Sequence, residues 1–123
     1  MKTVNDIKVG DRILNYAYGS YFALQLKWLT VERVTDKMIY LGSQRTLHGV
    51  SQMNKSSIKD KDLDTLPLRD DVYIFNVSDV DLEFILVKLQ EAVDLDRRAK
   101  INIVNGKYET SMKSIREFRG ENL

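Results

Sequence analysis

The sequence predicts an α+β fold: a small, strongly bent antiparallel sheet or small barrel, packed by one main helix and completed by a C-terminal hairpin. Three observations lead there. Apolar and polar residues alternate with period two over residues 22–28 and, after a change of phase, through Leu29 and Val31, the pattern of strands. Leu82, Ile85, Leu86, Leu89, Ala92 and Val93 recur at helical spacing and make one apolar stripe. Asn105-Gly106 stands between two β-prone runs, and both residues tolerate the positive φ of a type I′ hairpin turn.

The first strand runs over residues 12–18, opened by Gly10-Asp11. Phe22, Leu24, Leu26 and Trp28 then alternate with Ala23, Gln25 and Lys27, a second strand joined to the first by Gly19-Ser20 as a two-residue loop. The alternation changes phase at Trp28-Leu29, which predicts a bulge or bend. Thr35-Asp36-Lys37 turns the chain into a strand over 38–41, and a shorter strand is expected within 45–50. Residues 49–61 read as a polar loop, and Val72 to Val77 as an extended segment.

Ser78 suits a helix N-cap, with Asp79 and Asp81 in the first turn facing the positive end of the dipole. The helix is expected over about 79–94. Residues 101–104 and 107–110 form the arms of the C-terminal hairpin, and the tail from Met112 to Arg119 suits either a last strand or a short helix. Nothing in composition divides the chain, so a single domain spanning 1–123 is expected, β-rich over 1–59, with an acidic connection and helix over 60–96 and a basic hairpin and tail over 97–123.

The 123 residues contain no Cys and one His, which rules out disulfides, thiol nucleophiles and a three-histidine zinc site within one chain. The longest wholly apolar run, Phe84-Ile85-Leu86-Val87, is far too short for a membrane span, and no apolar stretch follows Met1-Lys2. A cytoplasmic protein without cofactor is expected, in the host cytoplasm if the chain is phage-encoded. The formal charge of +1 conceals three blocks: residues 1–59 carry +5, residues 60–96 carry −8 and residues 97–123 carry +4. A polyanion on one face and a cationic protein on another are both compatible with such a pattern, as is mutual neutralisation.

If Gly19-Ser20 is the turn, Tyr18 opposes Tyr21 and residue 12 opposes residue 27. One sheet face then carries Ile13, Ala17, Phe22, Leu24 and Leu26. The other carries Arg12, Leu14, Tyr16, Tyr18, Tyr21, Gln25 and Lys27, a set of rings, cations and an amide suited to single-stranded nucleic acid or to a protein hot spot. The alternative is that the helix covers this face and the tyrosines are core residues. Lys107, Lys113, Arg116 and Arg119 offer an auxiliary basic patch. The first expectation is thus a nucleic-acid-binding module; the second is a protein-interaction factor, such as a phage-encoded inhibitor of a host enzyme, docking through the tyrosine hairpin or the acidic segment 60–71.

No catalytic residue is predicted, because nucleophile, phosphate loop and paired carboxylates are all missing at diagnostic spacing. Asp60, Asp62, Asp64 and Asp71 begin like a calcium loop, but Thr65 stands where that loop needs Gly. Asp79, Asp81 and Glu83 are explained by capping, and His48 by surface exposure or packing.

Val9-Gly10-Asp11-Arg12, the segment from Val31 to Leu41 and the Gly-containing stretch near Gly49 resemble small SH3-like or KOW-type barrel modules, some of them phage-encoded. The resemblance covers residues 9–50, about a third of the chain, and implies a binding module for nucleic acid or protein with no catalytic residue to transfer. The Tyr16-Ala17-Tyr18 hairpin departs from that pattern, and nothing from Asp60 onward matches it.

Overall fold

A computed structural model describes residues 3–19, 23–61, 66, 68, 71–99 and 105–123. Its elements are β1 (Arg12–Ala17), β2 (Gln25–Thr30), β3 (Arg33–Val34), β4 (Met38–Tyr40), β5 (Gln52–Asn54), β6 (Ile58–Asp60), β7 (Val72–Phe75), α1 (Asp79–Ala99) and α2 (Asn105–Asn122). The fold is α+β. One sheet has the order β2-β1-β7-β6, with β6 parallel to β7 and the other pairs antiparallel; the second is the antiparallel meander β3-β4-β5. Neither closes into a barrel among the described residues.

The larger sheet is the middle of three layers. Leu14, Tyr16, Val72 and Ile74 point to the helices, meeting Leu82, Ile85, Leu86, Leu89 and Val93 of α1 and Met112, Ile115 and Phe118 of α2. Their strand neighbours Ile13, Leu29, Tyr73 and Phe75 point the other way, onto Ile39 and Met53 of the small sheet. A strand covered on both faces needs apolar residues on both, so consecutive apolar residues replace alternation. This accounts for the phase change at Trp28-Leu29. Trp28 packs toward Phe118 while Leu29 enters the inter-sheet core, and β2 continues through both in regular register without a bulge.

The two-residue hairpin is also corrected. Ala17 opposes Gln25 and Arg12 opposes Thr30, a register three residues away from the expected one. An odd shift exchanges the faces of β2, so Leu26, Trp28 and Thr30 join Arg12, Leu14 and Tyr16. Leu24 shows why. Its N–H donates to Ser111 Oγ of α2 at 2.9 Å and its side chain is fully buried on the helix side, which draws it out of the ladder and lengthens the connection.

The turn at Thr35 forms as expected, with its N–H bonded to the Met38 carbonyl at 3.0 Å. No strand occupies 45–50. Thr46 N–H donates to Val50 O at 2.8 Å, and Gly49, at φ +84°, closes a turn that an L side chain would strain. The expected loop over 49–61 contains β5, a 3₁₀ turn and β6. Fully buried Asn15 holds the 45–50 turn against the sheet: its Oδ1 accepts from Leu47 N–H at 2.8 Å while its Nδ2 donates to Val72 O at 3.1 Å.

Ser78 caps α1 through a reciprocal pair, Asp81 N–H to Ser78 Oγ at 3.2 Å and Ser78 N–H to Asp81 Oδ2 at 3.0 Å. The helix continues to Ala99, past the expected end at residue 94, supported by an Arg98–Asp94 ion pair at 2.9 Å. The C-terminal hairpin is replaced by α2. Met112, Ile115 and Phe118 are buried at helical spacing, and burying that stripe against α1 and β2 outweighs the local turn preference of Asn105-Gly106. Gly106 accordingly lacks the positive φ a type I′ turn requires. Residues 101–104 lie outside the described residues.

Candidate interaction surface

The tyrosine face is a core. Tyr16 is 0% exposed and Tyr18 6%, because the helices cover the side of β1 that carries them. Tyr18 OH donates to Asp96 of α1; burial first, then that bond and the carboxylate's charge, raises the phenol above its ordinary pKa. Tyr21 lies outside the described residues. Arg12 is exposed, its guanidinium 4.3 Å from the centre of the Trp28 ring. Gln25 and Lys27 fall on the opposite sheet face, where Lys27 Nζ donates to Arg45 O at 2.5 Å. The six residues expected to act together are therefore not assembled into one exposed platform.

The auxiliary cations are also dispersed. Lys107 lies over the Tyr18 ring and donates to Gly19 O, Lys113 pairs with Glu117 at 3.9 Å, and Arg119 makes two bonds to Glu83 at 3.1 and 3.2 Å. Arg116 is exposed beside the α1–α2 cleft lined by Gln90, Tyr108 and Met112. Basic residues of the last block thus neutralise part of the acidic middle block. Asp81, which caps α1, also pairs with Lys61; that cation, followed by the Ser78 N–H, lowers its carboxyl to about pKa 2. Of the acidic segment 60–71, Asp62 and Asp64 lie outside the described residues, Asp60 is exposed, and Asp71 accepts from Tyr73 OH. Burial, then the Asp71 bond, raises the Tyr73 phenol as well.

Among the described residues, an open surface lies on each outer layer. On α1, Val80, Phe84 and Val87 are 68%, 54% and 37% exposed, and they lie on the side of the helix opposite Leu82, Ile85, Leu86, Leu89 and Val93. Spacings of four and three residues stack them into one stripe. Asp79 and Glu83 line the stripe together with Val80, Phe84 and Val87, while Asp81, Asp94 and Asp96 are engaged by Lys61, Arg98 and Tyr18. The signal for it was present in the run from Phe84 to Val87, since a helix with one apolar face cannot bury four consecutive residues.

The second surface is the outer face of the meander, where the register aligns Arg33, Tyr40 and Gln52 across the three strands. Its inner face is Val34, Ile39 and Met53. No three His, Asp or Glu side chains converge to hold a metal ion among the described residues. No helix among them is long and apolar enough to cross a membrane. Compared with known proteins, the chain matches no family model, no curated protein and no solved structure.

Proposed function

We propose that the protein is a non-enzymatic protein-interaction factor acting in the cytoplasm, and that it docks through the outer face of α1. The observation that carries this reading is the Val80–Phe84–Val87 stripe, exposed on the helix side opposite the core. Contiguous apolar surface with a polar rim is the mark of a protein interface, and an aromatic at its centre is the usual anchor. The rim supplies the chemistry of the partner. Asp79 and Glu83 line the stripe and Glu91 lies beside Val87; Glu83 is shared with Arg119 and Glu91 lies 4.0 Å from Lys88, so a partner with apolar side chains flanked by Lys or Arg competes for these carboxylates. This keeps the acidic middle block as the docking element and moves it from segment 60–71 to the helix that follows.

Affinity capture with the full chain tests the reading. One stoichiometric partner is expected, released as salt rises, lost with Phe84→Asp and weakened with Glu91→Lys, while both variants keep the native circular-dichroism spectrum. Retention of the partner by folded Phe84→Asp refutes the docking site. Sedimentation showing a wild-type dimer that Phe84→Asp converts to monomer assigns the stripe to a second copy of the chain and refutes a foreign partner.

A further inference from the structure

The outer face of the β3-β4-β5 meander lies on the opposite side of the molecule from the helices and has no layer over it among the described residues. Its centre is the Arg33 guanidinium, 4.1 Å from the centre of the Tyr40 ring. Gln52 is paired with Tyr40 on the next strand, and Asn54 with Met38. Arg33, Gln52 and Asn54 are exposed and Tyr40 is half-buried. At one end of the face the N–H of Lys55 donates to the carbonyl of Lys37 at 2.9 Å, which brings two cationic residues side by side. Residues 31–57 hold four Lys or Arg against two carboxylates, reversing the sign found on α1.

We propose that this face binds single-stranded nucleic acid. A flat guanidinium over a phenol ring is a platform on which a base can stack, on the Arg plane or on the ring once the Arg swings to a phosphate. The side-chain amides of Gln52 and Asn54 each offer a donor and an acceptor to base edges at the height of the platform. Lys37 and Lys55 meet the backbone as it leaves. A duplex would have its base faces stacked away and could use only the cations, so the ring and amides favour a single strand. This site is independent of the α1 stripe: it shares no residue with it, lies on another layer and carries the opposite charge.

The test is fluorescence anisotropy of the full chain titrated into labelled oligouridylate, oligothymidylate and a DNA duplex over a salt series. Both single strands are expected to bind, more tightly than the duplex, with affinity falling as salt rises. Tyr40→Phe keeps the platform and binds like wild type, whereas Tyr40→Ala weakens binding about 5- to 150-fold. The double variant Lys37→Gln, Lys55→Gln flattens the log–log salt slope by about 1.4, at about 0.7 for each phosphate no longer neutralised. Phe84→Asp leaves these affinities unchanged. No binding at low salt overturns the proposal, as does equal affinity for duplex and single strand, or binding indifferent to Tyr40→Ala in a variant whose thermal melt shows it folded.

Discussion

Phe84 and Leu86 are two residues apart on one helix and face opposite directions, which makes them a paired test of what α1 does. Leu86 is fully buried in the core shared by β1, β7 and both helices, so Leu86→Ala leaves a cavity and is expected to cost about 2–5 kcal/mol of folding stability. Phe84 is 54% exposed. Of a side chain with about 200 Å² to bury, about 110 Å² therefore stays in water in the free protein. Covering that area in a complex yields about 2.7 kcal/mol at ~25 cal/mol per Å². Phe84→Ala is thus expected to weaken partner binding by about 30- to 100-fold while shifting folding stability by less than about 0.5 kcal/mol. Urea denaturation of the two variants, followed by titration against the captured partner, reads both quantities. A folding cost for Phe84→Ala equal to that of Leu86→Ala would show that the ring packs within the molecule and would refute the docking surface.

Gly106→Ala discriminates between helix and hairpin by sign: in the first turn of α2 it should stabilise the protein by up to about 1 kcal/mol in a melt, whereas a type I′ turn would be strained by it. Asn15→Ala should cost about 2–4 kcal/mol in denaturant, since it removes the acceptor of Leu47 N–H and the Nδ2 bond to Val72 O from a fully buried position, and should speed hydrogen exchange at Leu47 selectively. The Asp81 carboxyl titrates near pH 2 in the folded protein and near 3.8 in the unfolded chain. Its contribution is therefore complete above about pH 4 and is lost as pH falls toward 2, so Asp81→Asn should flatten the stability profile across that interval and leave little pH dependence of its own.

Local chemistry was legible wherever one segment decided its own structure. The Ser78 cap, the α1 stripe and the Thr35 turn all depend on residues within a few positions of one another. Register and coverage were not legible in that way. Whether Gly19-Ser20 closes a two-residue loop depends on Leu24, and Leu24 answers to Ser111, 87 positions away. Asn105-Gly106 is a strong turn signal taken alone; Met112, Ile115 and Phe118 override it because α1 and β2 offer them a place to be buried. The candidate site failed for the same reason. Tyr16 and Tyr18 have the chemistry of a stacking platform, but α1 and α2 lie over them.

What the chain determined by itself was the α+β class, the main helix with its cap, and three blocks of charge that sum to almost nothing. Tertiary structure decided which faces meet water. The middle sheet is sandwiched, so its rings and its phase change are core features, while among the described residues the outer side of α1 and the outer face of the meander meet water. The physical reason is that side-chain alternation and helical spacing specify a residue's face but not what lies against it. That is settled only when distant segments pack, because burial is a property of the whole chain.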